Sequence, residues 1–187
     1  KVKYWPTVRK CPKVKITASS ANPYLKVINN DIYSKNGKVL YSVASTKTKY
    51  KVKKSVKEIE DGAFYKNDSI KSIYLPDSVK EIGEETFGDM ENLQSIRFSR
   101  SISELDYAMF NKCKKLKTVK LPKRIQTIRG NFGGKKNCYL KKIYINAVNL
   151  KKSNLKSLPK KCKVYVKSKN VKNQVKKAGF KGKVIIR

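Results

Sequence analysis

Histidine is absent from all 187 residues, and acidic side chains are nearly absent outside one segment. Without an imidazole there is no Ser-His-Asp or Cys-His nucleophilic machinery and no histidine general base. Cysteine is sparse. Cys11, Cys113, Cys138 and Cys162 lie far apart, and no Cys-x-x-Cys pair occurs. A zinc site would have to gather four thiolates from distant places, so neither a metal nor another cofactor is expected. No apolar run approaches the roughly 18 residues of a membrane-spanning helix, so no transmembrane segment is expected. The one Gly-rich stretch, GNFGGKKN at 130–137, lacks the strand–GxxxxGK[ST]–helix pattern of a phosphate loop and reads as a long turn. Together these absences lead to the expectation of a non-enzymatic protein. The opening Lys1-Val2-Lys3-Tyr4-Trp5 reads as the interior of a longer chain, so any secretion signal or anchor is expected to lie outside it.

Positive charge is in excess. Lys and Arg number 46 against 13 acids, a formal net charge of +33. Twelve of the thirteen acids fall between Glu58 and Asp106, where five Lys/Arg leave that segment at −7. Residues 107–187 hold 26 Lys/Arg and no acid, and residues 1–57 hold fifteen and only Asp31. Two readings stand side by side. In one, lysine merely decorates solvated positions. In the other, the chain meets a polyanion: a sulfated glycan, teichoic acid, anionic lipid, or nucleic acid held without sequence preference.

The chain also repeats itself. Residues 55–78, SVKEIEDGAFYKNDSIKSIYLPDS, are followed by SVKEIGEETFGDMENLQSIRFSRS, and the register is 23 residues. Val56, Val79, Ile102 and Ile125 open successive units, with Ile59, Ile82, Leu105 and Ile128 three places later. Phe64, Phe87 and Phe110 fill a shared slot, while Phe132 falls one place early in a unit stretched by GNFGGKKN. A shorter copy ends in CKVYV. One such unit cannot bury both sides of its apolar set, whereas stacked units share a continuous core. Each IxL ending alternates in and out, so IKSIYLP, LQSIRFS, LKTVKLP and LKKIYIN are expected as a parallel ladder with strands roughly 4.8 Å apart. The VKEI openings suit a second short strand. EDGAFYKND and GEETFGDMEN suit a turn followed by a short helix or 3₁₀ segment. Asn36-Gly37 between alternating apolar residues signals a type I′ hairpin. SKNVKNQVKKAGFKG reads as a short helix with Asn170 as its cap and Gly179 at its end, and Lys183–Arg187 as a closing strand.

The pattern V-x-x-I-x-x-x-[AT]-F, with Gly62-Ala63-Phe64, Leu75-Pro76-Asp77-Ser78-Val79 and Ile82-Gly83, resembles the BspA-type leucine-rich repeat of bacterial surface proteins. The stretch from Asn22-Pro23-Tyr24 to Asn36-Gly37-Lys38 resembles the hairpin that family splices between repeats. The resemblance implies an α/β leucine-rich-repeat solenoid over 1–187: a partial first coil at 11–24, an inserted hairpin at 25–43, a strand at 44–55, repeats at 56–78, 79–101, 102–124 and 125–149, and a last coil with its cap at 150–187. It also places Cys113 and Cys138 near a slot for small buried residues. All four thiols are then expected to be buried and inert, with a Cys113–Cys138 bridge between coils as the alternative. The extreme lysine content departs from the family pattern, so family ligands transfer poorly.

If the strands are right, the residue between each pair of inward positions points out. In order these are Lys51, Tyr74, Arg97, Lys120, Tyr144 and Tyr165, with Ser72, Ser95, Thr118 and Lys142 beside them and Lys53, Ser99, Asn146 and Lys167 on the other flank. Lys51, Tyr74, Arg97, Lys120, Lys142, Tyr144 and Tyr165 are the candidate binding residues. Tyrosine offers a flat face for sugar or base stacking, and Lys/Arg offers charge for sulfate, phosphate or carboxylate. The plain alternative is that Tyr and Lys suit exposed strands anyway. A second column, Glu58, Glu81 and Glu104, has no nucleophile beside it and is explained by Lys57, Lys80 and the basic flanks. The resemblance implies a secreted or surface-attached bacterial module binding a protein or glycan on a host, cell or matrix. The alternatives are an electrostatic anchor for polyanions and a structural spacer.

Overall fold

The 23-residue period becomes one turn of a solenoid, and each turn carries two strands. The computed structural model describes residues 15–130, 132–133 and 138–187. The chain enters through β1 (Leu25–Ile28), β2 (Asp31–Ser34) and β3 (Val39–Ser42). β4 (Lys49–Lys51) follows, then β5 (Glu58–Ile59), β6 (Ser72–Tyr74), β7 (Glu81–Ile82), β8 (Ser95–Arg97), β9 (Glu104–Leu105), β10 (Thr118–Leu121), β11 (Thr127–Ile128) and β12 (Lys142–Ile145). β13 (Lys163–Val166), the helix α1 (Lys169–Lys177) and β14 (Val184–Ile186) close it. The IxL endings form the parallel ladders β4-β6-β8 and β10-β12-β13-β14, and the VKEI openings extend β3-β5-β7 and pair β9 with β11.

Between the two sheets lies one continuous core. Its axis is a file of rings. Tyr50 meets Phe64 edge-on at 5.2 Å, Phe64 to Phe87 is 5.5 Å, Phe87 stacks on Phe110 at 5.9 Å, and Phe110 stacks on Phe132 at 6.0 Å. Phe132 therefore regains the slot despite its shifted position. Burying each ring contributes about 1.5–3 kcal/mol over leaving it exposed.

The α/β expectation needs correction. Among the described residues α1 is the only α-helix, and the connectors expected as short helix or 3₁₀ are runs of turns. The reason lies in the backbone. Gly62, Glu85 and Ala108 have φ of 60°, 50° and 50°, and Lys66, Asp89 and Lys112 have 60°, 54° and 54°. The three units from Val56, Val79 and Ile102 thus each place a left-handed residue at two fixed slots, which no helix tolerates. The turned backbone sends its N–H groups to the next coil: Gly62 to Glu84 O, Phe64 to Thr86 O, Lys66 to Gly88 O, Glu85 to Tyr107 O and Asp89 to Asn111 O, at 2.7–3.0 Å. The strain of a non-glycine left-handed residue, about 1–2 kcal/mol, is offset by these bonds between coils.

The long ladder is not continuous either. Among the described residues no strand pairing joins β8 to β10 or β7 to β9, so both sheets are interrupted at one boundary, between the coils starting at Val79 and Ile102. The turn side continues across it through the Glu85 and Asp89 bonds.

The insertion is a three-stranded antiparallel meander rather than a single hairpin. Its two-residue turn is Asn29-Asn30, with φ of 53° and 66°, as a type I′ turn requires. Asn36-Gly37 instead sits at the centre of a four-residue loop, 35–38, where Gly37 (φ 72°) donates to Ser34 O at 2.8 Å. Of the expected partial first coil, residues 15–24 carry no strand. Residues 11–14, with Cys11, lie outside the described residues, as do 131 and 134–137 of the expected long turn. At the far end Ser168, not Asn170, caps α1, its side chain accepting from Val171 N. Val171 and Val175 seal the core, and Gly179 (φ 90°) ends the helix.

Candidate ligand-binding face

Ladder register decides which side chains become neighbours. Lys51 pairs with Tyr74 and Tyr74 with Arg97. Lys120 pairs with Tyr144, Tyr144 with Tyr165, and Tyr165 with Ile185. The expected column therefore exists as two runs, separated at the interruption between β8 and β10. Its cations are exposed and its tyrosines half-buried. In the adjoining row Lys142 pairs with Thr118 and Lys163. Ser99 departs from the expectation of an outward slot. It is fully buried, and its hydroxyl donates to Val79 O at 2.6 Å.

The ring faces of this column are occupied by their neighbours. Lys51 Nζ lies 5.4 Å and the Arg97 guanidinium 4.9 Å from the Tyr74 ring centre, and they come from the strands on either side of it. Tyr144 stacks on Tyr165 at 4.7 Å and 19°, and both Lys120 and Arg187 approach its ring, at 5.9 and 4.2 Å. Rings one strand apart in a parallel ladder meet face to face, and cations take the remaining faces. On Tyr74 and Tyr144 the flat stacking surface expected for a sugar or base is thus already filled.

None of the ion pairs below involves these cations, although Arg97 is close enough to Asp77 to help lower its carboxyl. The ion pairs of the described residues lie elsewhere and join successive coils: Arg100 with Asp77, Lys112 with Asp89, Lys114 with Glu91 and Arg129 with Glu104. Arg100 and its backbone N–H hold the Asp77 carboxyl below the usual carboxylate range. On the short-strand side Glu58, Glu60, Asp61, Glu81 and Asp106, together with the Arg129-paired Glu104, line a trough of about 440 Å³. Glu58 is pushed above its ordinary value by desolvation and then by Glu60, Glu81 and Asp61. Among the described residues no group of three or more Cys, Asp or Glu is arranged to hold a metal ion.

Two internal arrangements complete the picture. The Cys113–Cys138 bridge is not formed. Cys113, Cys138 and Cys162 are buried and free, and Cys113 Sγ donates to Phe87 O at 2.9 Å. Burial pushes their thiols up to about 12, 11 and 12. The second arrangement gave no repeat signal in the sequence. Asp31, at the start of β2, is buried, accepts from the Tyr50 hydroxyl at 2.6 Å and from Ala44 N at 3.1 Å, and so pins the meander to the first coil. Tyr33 joins through its hydroxyl, 3.3 Å from that of Tyr50.

The coil and its register define a leucine-rich-repeat protein. The BspA type leucine rich repeat region matches residues 25–164 in six copies, and the chain belongs to that family. Among solved structures, the pneumococcal vaccine antigen PcpA superposes with a TM-score of 0.67 at 21% identity, covering 90% of this chain and 49% of PcpA. A leucine rich cell surface protein from Faecalibacterium prausnitzii superposes at 0.62 with 23% identity, covering 96% and 43%. A leucine-rich repeat protein from Bacteroides capillosus superposes at 0.54 with 16% identity, covering 70% and 96%. At these identities the likeness is one of fold, and the chain spans about half the length of the first two. No curated protein matches the chain. No helix among the described residues is long and apolar enough to cross a membrane.

Proposed function

We propose that this chain is a non-enzymatic recognition module of a bacterial secreted or cell-surface protein, and that its ligand lies on the outward face of β4–β8 and β10–β14. Family membership supports a module for protein interaction at a surface. The cell-surface neighbour and the pneumococcal antigen share the coil. The observation that carries the choice of face is the two aligned basic-aromatic runs, Lys51-Tyr74-Arg97 and Lys120-Tyr144-Tyr165, with Lys142 beside the second. Two unit charges one strand apart in water repel by only about 0.9 kcal/mol, so the column stands unoccupied at little cost and gains when a ligand covers it. Repetition fixes the coil while leaving these outward positions free to be chosen. The acidic trough is the weaker alternative, since its carboxylates have no nucleophile or metal cluster beside them.

The test is a protein and glycan array probed at low and near-physiological salt, with wild type and with Tyr74→Ala, Arg97→Ala and Tyr144→Ala. A ligand retained at about 0.3 M salt and lost in the variants supports the face. Retention of the same ligand by all three variants sinks it.

A further inference from the structure

We infer that the ligand of this face is a linear anionic glycan lying across the strands of the C-terminal ladder, gripped by charge and phenol hydroxyls and not by ring stacking. This rests on the reading above that the outward strand face is the ligand-binding surface.

Three observations point the same way. The first is charge. Between 107 and 187 there is no acidic residue, and the exposed cations Lys120, Lys142, Lys163 and Lys183 edge a patch centred on Tyr144 and Tyr165. Lys142 and Lys163 are ladder partners, and Lys183 follows in the same row, because Val164 pairs with Val184. The row therefore offers one ammonium per strand, at intervals of about 4.8 Å along the solenoid axis. The second is the tyrosines. Tyr144 and Tyr165 cover each other's faces at 4.7 Å, and Lys120 and Arg187 close on Tyr144. Tyr144 cannot accept a sugar or a base face-on and Tyr165 has one face closed by it, which weakens the grip of aromatic platforms on neutral sugars and on single-stranded nucleic acid. The third is interval. A spacing of one strand is close to the length of one sugar unit in an extended glycan, so carboxylates or sulfates on successive units meet successive lysines. Along a nucleic-acid duplex each strand advances about 3.4 Å per phosphate, which drifts out of step with the ladder within a few strands. On the N-terminal side the row of this ladder ends with Thr118, whose hydroxyl suits the uncharged parts of a sugar chain, and beyond the interruption Ser95 and Ser72 hold the matching slots of the other ladder.

The test uses the full chain and three sets of soluble probes at 0.15 M salt. The first is heparin oligosaccharides of four, eight and twelve sugars, the second their desulfated counterparts, and the third a phosphodiester polymer and duplex DNA matched in charge. The variants are Lys142→Glu with Lys163→Glu, and Tyr144→Phe with Tyr165→Phe. A control, Lys57→Glu with Lys80→Glu, makes the same charge change on the short-strand side. Circular dichroism verifies that each is folded. The heparin eight-mer should bind at least tenfold more tightly than its desulfated form and than the phosphate polymers. The lysine pair should weaken it tenfold or more, and the phenylalanine pair severalfold. The control should change it less than threefold. Equal binding of desulfated sugar, or equal binding of duplex DNA, overturns the ligand class. So does loss of affinity in the control equal to that in the lysine pair, which would make net charge the whole cause. If instead no glycan binds but a protein ligand does, and is lost in the lysine pair, the class fails while the face stands. A ligand indifferent to both face variants removes the face itself.

Discussion

Lowering the pH should strengthen the hold of the meander on the first coil, through Asp31. Its carboxyl is pushed from an ordinary 3.8 up to about 6, chiefly by desolvation, while the Tyr50 hydroxyl, the Ala44 and Ser45 amides and Lys47 pull it down. The folded state therefore binds this proton more tightly than the unfolded chain. The stability from protonated Asp31 is fully present below 3.8 and is lost as pH rises through about 6. The gap corresponds to roughly 3 kcal/mol, or about 6–12 °C in Tm for a chain of this size. Other carboxyls titrate in the same range, Glu58 and Glu84 raised and Asp77 lowered. The clean quantity is thus the difference between wild type and Asp31→Asn at each pH. Asparagine keeps the shape and cannot ionise. Its relative stability should improve by about 3 kcal/mol between pH 4 and pH 7.5, measured by urea unfolding. Hydrogen exchange at Ala44 N–H, which donates to Asp31, gives the local reading. A difference flat with pH, or one of opposite slope, refutes the desolvation account.

Phe87→Ala should cost about 3–5 kcal/mol, since the hole opens between the tilted ring of Phe64 and the stacked ring of Phe110; a loss under 1 kcal/mol in urea titration would mean the ring file is not the core. Ala108→Gly should stabilise and Gly62→Ala destabilise, each by about 1 kcal/mol, because both slots are left-handed; shifts of reversed sign in thermal melts would contradict the turn assignment. Cys113, Cys138 and Cys162 should stay inert to a thiol-reactive chromophore at pH 8 until the protein is unfolded. Labelling of any of the three within minutes in the folded state would show that it is accessible.

The apolar period was legible. Apolar residues at fixed offsets named the coil, and alternation around Ile73, Ile96, Val119 and Ile143 named the ladder and its outward column. What escaped was backbone conformation and contacts that the apolar pattern does not encode. The left-handed slots are held by Gly62, Glu85 and Ala108 in one file and Lys66, Asp89 and Lys112 in the other. Only one of these is the residue that announces positive φ, so the connectors read as helical. Outward placement of Tyr74 and Tyr144 followed from alternation, but the rotation of their rings depended on cations one strand away. Ser99 stands where Pro76 and Pro122 stand in neighbouring units, and its inward turn answered a carbonyl at Val79 that no offset reveals. Asp31 and Tyr50 are 19 residues apart in a stretch without repetition.

The interruption between the coils that start at Val79 and Ile102 has a mechanical meaning. On either side the molecule is a rod whose strands are laced together twice per turn. At that boundary the lacing survives on the turn side alone, along with the ring contacts of the core. A pull applied along the axis should open this joint before any other, so that in single-molecule stretching the first rupture divides the rod there while each half stays wound.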